Sequence, residues 1–206
     1  THGSIIARLP ICDGCLGACT YCQTRLARGN LKSYPTASIV REAACCIKNG
    51  CKEIQLTAQD TGAYGLDIKT NLAELLAEVS KLPGEFRVRV GMMNPEHALR
   101  MLPTLLLAYE SPKIYKFAHI PVQSGSDKVL GDMRRKYTIK DFLKVIRAFR
   151  KKFPNITLST DIIVGYPTET EKDFQATLSL LKKVRFDVVN VSKFTPRPFT
   201  PAAKLK

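Results

Sequence analysis

Short apolar runs alternate with longer stretches of helical period along the whole chain. Runs at 4–10, 53–57, 86–91, 114–120, 157–164 and 187–194 have strand length and are predicted as six strands. Between them, 37–49 reads as a helix stopped by Gly50, and Asn71 with Glu74 forms a capping-box pattern ahead of Leu75, Leu76 and Val79. Pro95 opens a third helical stretch to about 109, weakened by Pro103. Residues 127–134 and 139–153 make a helical pair, and 169–183 supplies the last helix. Strand and helix in regular alternation predict one α/β domain with a parallel six-stranded sheet and helices outside it. Six units are too few for a closed eight-fold barrel.

In such architectures ligands gather in the loops that follow the strands. The polar, glycine-rich motifs of this chain fall in that register. Cysteines follow the first strand, residues 60–65 the second, Asn94 the third, 123–126 the fourth and 165–169 the fifth. A site at the carboxyl end of the sheet is therefore expected.

The chemistry is set by Cys15, Cys19 and Cys22, spaced CxxxCxxC. Three thiolates are one short of a closed tetrahedral site, so a cluster held by them keeps one iron open to a ligand. Cys12 offers the alternative of two CxxC pairs around structural zinc, as in a zinc-stabilised RNA-binding module. Zinc ribbons, however, separate their pairs by about 12 to 20 residues, and here the gap is far shorter. Cys45 and Cys46 lie among the apolar positions of the helix at 37–49 and, like Cys51 beyond it, are expected to pack in the core.

The cysteine loop, followed by Thr24-Arg25 and Ala27-Arg28-Gly29, resembles that of radical S-adenosylmethionine (SAM) enzymes, specifically the methylthiotransferases. The resemblance continues through Asp60-Thr61-Gly62-Ala63-Tyr64-Gly65, Met93-Asn94-Pro95, the run His119 to Ser126, Met133 to Tyr137, the run Thr160 to Thr170, and Pro196-Arg197-Pro198. It is greatest to the archaeal and eukaryotic enzymes of tRNA N6-threonylcarbamoyladenosine (t6A), ahead of those acting on isopentenyladenosine or a ribosomal protein, which share these motifs.

The resemblance implies a partial (β/α)6 TIM-like barrel. It implies a 4Fe-4S cluster on Cys15, Cys19 and Cys22, whose open iron chelates the amino and carboxylate groups of SAM. One electron from a reductant then gives a 5′-deoxyadenosyl radical. For SAM it implies contacts from Tyr21, Thr61, Gly62, Asn94, Gln123, Arg135, Asp161 and Gly165. Arg135 suits the methionine carboxylate, Gly62 a close backbone approach, Gly165 the loop passing the adenine, and Tyr21 the aromatic beside it. Asn94 before Pro95 also reads as a helix cap, and Asp161 as a structural acid. His97 and His119 read as structural. Family members carry an N-terminal domain with an auxiliary cluster and a C-terminal TRAM-like barrel, so residues 1–206 are expected to be the central domain of a longer protein. Alone, it would cleave SAM weakly and transfer no methylthio group.

Composition narrows the partners. A formal charge of +14, from 32 basic and 18 acidic residues, suits a polyanion, which the resemblance implies is the tRNA anticodon loop at adenosine 37, although a lysine-rich solvated face would give the same total. Seven cysteines are an odd number and argue against a disulfide framework. No apolar run approaches the ~20 residues of a membrane helix, so a cytoplasmic location is expected.

Overall fold

The computed structural model describes residues 4–205; Thr1–Gly3 and Lys206, the ends of the expected domain, lie outside it. Among the described residues eight strands run in chain order: β1 (Ile6–Pro10), β2 (Cys12–Asp13), β3 (Lys32–Ser33), β4 (Glu53–Thr57), β5 (Arg87–Val90), β6 (Phe117–His119), β7 (Thr157–Val164) and β8 (Val188–Lys193). The helices are α1 (Thr24–Arg28), α2 (Thr36–Lys48), α3 (Leu72–Ser80), α4 (Pro95–Arg100), α5 (Leu102–Ala108), α6 (Asp127–Asp132), α7 (Ile139–Lys152) and α8 (Glu171–Val184).

The six expected strands pair in parallel as β1-β4-β5 and β6-β7-β8. The two halves join at Val88, whose amide donates to Lys113 and whose carbonyl accepts from Tyr115, with Ile114 opposite. β2 and β3, too short to show in the sequence pattern, form a small antiparallel pair that brackets the cysteine loop.

Local chemistry explains the element ends. Thr138 with Asp141 and Thr170 with Asp173 make full capping boxes for α7 and α8. At α3 Asn71 accepts from the Glu74 amide, but Glu74 is answered by the Asn71 side chain rather than its backbone. The stretch opened by Pro95 divides at Met101, leaving Pro103 in the first turn of α5, where its missing N–H costs nothing.

The strands are only half covered. Ala7 and Leu9, Ile54 and Leu56, and Val88 and Val90 pack with Ile39, Ala43, Leu75 and Leu76 of the helices. The alternating residues Arg8, Gln55, Arg87 and Arg89 stay exposed or half-buried. A parallel sheet covered on both faces would read as continuous apolar runs; this one has a polar inner face. Cys45 corrects the expectation of core packing, since it is exposed at the helix surface, and Cys46 is half-buried, while Cys51 is buried as expected.

Candidate functional site

The loop after β1 carries Cys15, Cys19 and Cys22 over the carboxyl end of the sheet. Gly14, at φ +73°, turns the chain where a Cβ would lie 2.0 Å from the Asn30 carbonyl oxygen. Thr20 pins the middle: its amide donates to Met133, and its hydroxyl bonds the Asp132 carbonyl (3.0 Å) and the Tyr166 hydroxyl (2.8 Å).

Each sulfur receives a hydrogen bond. Gly17 N–H donates to Cys15 Sγ (3.2 Å), Arg135 Nη1 to Cys19 Sγ (3.2 Å), and Thr24 N–H to Cys22 Sγ (3.4 Å). Donors aimed at sulfur favour the thiolate, the form that ligates iron. Burial still pushes the Cys15 thiol up, with the Gly17 amide acting against it. Among the described residues no group of three Cys, His, Asp or Glu side chains converges tightly enough for a single ion. Thiolates that each reach a different corner of a cluster need not converge in that way. Cys12 is turned elsewhere: its buried thiol faces the Asp60 carbonyl at 3.9 Å, and burial, with the Asp60 charge adding, pushes it up to about 12.

Two cavities flank the loop. The larger, about 510 Å³, is lined by Tyr21, Cys22, Gln123, Asp161 and the β8 residues Asn190 and Ser192, with Lys193 and Arg197 also on its wall. Gln123 sits at φ +71°, a conformation costly for a residue with a side chain, held by its amide on Asp161 and its carbonyl under Ile163. It is 8 % exposed, and its Oε1 has no hydrogen-bond partner among the described residues. A buried acceptor without a donor beside a cavity is a fit for a ligand that supplies one. Asp161 accepts from Asn190 Nδ2 (2.9 Å) and pairs with His119 Nε2 (2.8 Å). Burial would raise its carboxyl, but His119 and Asn190 outweigh that and hold it below the usual carboxylate range.

The smaller cavity, about 180 Å³, lies on the Cys19 side among Asn94, Arg100, Arg134, Arg135 and Lys136. Arg135 stacks over Tyr137 at 5.0 Å, donates through Nε to the Tyr137 hydroxyl (3.0 Å), and bonds Asn94 Oδ1. Asn94 heads α4 but makes no side-chain cap there. Its Nδ2 donates instead to Asp60 Oδ2 (2.6 Å). Asp60 also accepts from the amides of Gly62 and Asn94 (both 3.0 Å) and pairs with His97 Nδ1 (2.7 Å). Burial acts to raise Asp60, yet His97 and Asn94 together hold it below the usual carboxylate range.

The expected SAM contacts therefore divide. Tyr21, Gln123 and Asp161 share the larger cavity, and Asn94 and Arg135 the smaller. Thr61 and Gly62 line neither: the Thr61 hydroxyl is spent on the Gly91 and Met92 carbonyls, and a Cβ at Gly62 would sit 3.0 Å from that of His97. Gly165, at φ +70° with open space around it, leaves its N–H on Glu169 (2.6 Å). Asp60 and Asn190, not singled out by the sequence reading, are the residues that orient Asn94 and Asp161. A carboxylate directly before Thr-Gly was the available signal for the first; an exposed edge strand gave none for the second.

A model of the radical SAM superfamily matches residues 9–181. A Pyrococcus horikoshii protein named probable threonylcarbamoyladenosine tRNA methylthiotransferase is 55 % identical over 198 residues, covering 96 % of this chain and 47 % of that protein. The human threonylcarbamoyladenosine tRNA methylthiotransferase is 46 % identical over 203 residues, 98 % of this chain and 35 % of its own length. The chain thus spans about half, or less, of the curated relatives it matches. Among solved structures, the radical SAM methyltransferase TsrM from Kitasatospora setae, with cobalamin and a 4Fe-4S cluster bound, superposes with a TM-score of 0.79 at 17 % identity, over 96 % of this chain and 38 % of that one. Coproporphyrinogen III oxidase (HemN) from Escherichia coli gives 0.64 at 15 %, over 98 % and 46 %. At such identities the likeness is one of fold.

Proposed function

We propose that this chain, which belongs to the radical SAM superfamily, is the SAM-cleaving core of an enzyme that adds a methylthio group to t6A at position 37 of tRNA. The observation that carries the reading is the loop of three sulfur atoms, each with its own donor, beside a cavity lined by Gln123, whose buried Oε1 has no partner among the described residues. The substrate is supported by the names of relatives that align over nearly the whole chain.

Cys15, Cys19 and Cys22 would hold a 4Fe-4S cluster, which when bound supplies the electron that opens the sulfonium of SAM. The protein's part is to orient and to exclude water. Gln123 Oε1 would accept from a SAM amino or hydroxyl group, Tyr21 would wall the adenine, and the Gly165 backbone would pass it. The Arg135 guanidinium, already on Cys19 Sγ, would meet the methionine carboxylate by exchanging its bond to Asn94. An auxiliary cluster and most of the tRNA contact would come from further domains, with Lys193 and Arg197 at the cavity wall meeting phosphate. Among the described residues no helix is long and apolar enough to cross a membrane, and a cytoplasmic setting with a cellular reductant fits the chemistry.

Anaerobic reconstitution with iron and sulfide tests this. The wild-type protein and Cys12→Ala should both take on the brown visible absorbance of a cluster and release 5′-deoxyadenosine from SAM under reduction. The triple change Cys15→Ala, Cys19→Ala, Cys22→Ala should abolish both. Equal loss with Cys12→Ala alone would establish a four-cysteine site and overturn the open-iron reading.

A further inference from the structure

The inner face of the sheet holds a charge arrangement that the SAM site does not use. Arg8, Gln55 and Arg89 lie in one row across β1, β4 and β5, on the face opposite the helices. The Arg89 guanidinium rests over the Phe117 ring, 4.6 Å from its centroid. With Gln55, Thr57, Phe117 and His119 it lines a separate cavity of about 150 Å³. Neither Arg8 nor Arg89 forms an ion pair among the described residues.

The nearby acids are already engaged. Glu53 takes a hydrogen bond from Gln55 Nε2 (2.6 Å) and one from the Tyr115 hydroxyl (3.3 Å). Asp161 is bound by His119 and Asn190. A planar guanidinium stacked on an aromatic ring with its N–H edges free is preorganised to receive a carboxylate as a fork. His119 joins this pocket to the catalytic side: it lines the Arg89 cavity, and its Nε2 bonds Asp161, which lines the larger cavity beside Cys22.

A base whose C2 is presented in the larger cavity extends its N6 substituent away from the reacting edge. The threonylcarbamoyl arm ends in a carboxylate, whereas an isopentenyl arm is neutral and apolar. On the basis of the t6A reading above, we infer that Arg89, with Arg8 two strands away beyond Gln55, forms the specificity pocket for the carboxylate of the N6 substituent. Arg89 takes the carboxylate directly, and Arg8 adds positive field across the same row. A site built to pair a charge rejects the analogue that lacks it, because the pocket's own charge is then desolvated without a partner.

The test compares two ligands on one protein. The reconstituted wild-type protein with SAM is titrated calorimetrically with the nucleoside t6A and with its methyl ester, which keeps the shape and removes the charge. We expect t6A to bind about ten- to a hundredfold more tightly than the ester, the range of a hydrogen bond to a charged group. Arg89→Gln should bring the two affinities to within about twofold of each other, and Arg89→Lys should keep part of the preference, because an ammonium supplies charge without the fork. A ratio within one protein is insensitive to a modest loss of stability, so a folded but weakened variant still reports. An undiminished preference in Arg89→Gln, or no preference in the wild type, overturns the pocket while leaving the t6A reading standing. Wild-type protein that cleaves SAM yet binds neither nucleoside overturns the t6A reading and this inference with it.

Discussion

Removing the Asp60 carboxylate should cost this fold a large part of its stability. Asp60 is 2 % exposed and serves four donors: the Gly62 and Asn94 amides, Asn94 Nδ2 and His97 Nδ1. At about 1.5 to 3 kcal/mol for each hydrogen bond to a charged group, the four sum to roughly 6 to 12 kcal/mol. That sum overshoots, because bonds sharing one carboxylate are lost together and the freed donors relax toward water or one another. Measured losses on breaking a buried pair by deleting one partner are about 3 to 5 kcal/mol, and that is the expected cost of Asp60→Ala. With a urea slope of about 3 kcal/mol/M, the unfolding midpoint should fall by about 1 to 1.7 M with the slope unchanged.

The pH dependence carries a sign. Asp60 is held below its ordinary value of 3.8 in the folded protein. Its contribution is therefore fully present above that value and is lost as pH falls through the lower folded one. The wild-type advantage over Asp60→Ala should persist from neutral pH down to about 4 and shrink only below it. A midpoint shift worth less than about 1 kcal/mol, or a gap that closes near pH 6, would refute the argument that the carboxylate, rather than the shape of the turn, organises these residues.

Three further outcomes are expected. Arg135→Gln should weaken SAM binding by about 1.5 to 3 kcal/mol, roughly ten- to a hundredfold by calorimetry, with Arg135→Lys recovering only part; the exposed Arg134→Gln should do little, and matching losses for the two would assign the carboxylate contact elsewhere. A Cβ at Gly125 would lie 2.4 Å from the Thr177 Cα on α8, so Gly125→Ala should cost about 1 to 3 kcal/mol and lower Tm by about 2 to 12 °C in a thermal scan. The chain should bind tRNA weakly with little sequence preference, through phosphate contacts, and an affinity that does not fall with added salt would count against the nucleic-acid reading of its charge.

Much of the architecture was legible because it rests on local signals. The runs at 53–57 and 157–164 match β4 and β7 residue for residue, since apolar alternation bounded by polar turns is a property of the segment itself. The three site cysteines are likewise a matter of spacing on one loop. Pro103 was legible as a disturbance, but whether it would kink one helix or start another depended on where Met101 left the helical region.

The sequence by itself thus determined the order of parallel units and placed the three closely spaced cysteines on the loop after the first strand. Tertiary structure alone decided which polar residues meet. It bound the Thr61 hydroxyl to the Gly91 and Met92 carbonyls, tied Asn94 to Asp60 and Arg135, drew Asn190 across from the edge strand to Asp161, and left Gln123 Oε1 buried with no partner among the described residues. It also exposed the Arg8–Gln55–Arg89 row on a face that parallel-sheet rules would have covered. The physical reason is range. Periodicity and spacing act within one segment, whereas a hydrogen bond between residues 34 positions apart, such as Asp60 and Asn94, exists only after separate strands have fixed both partners.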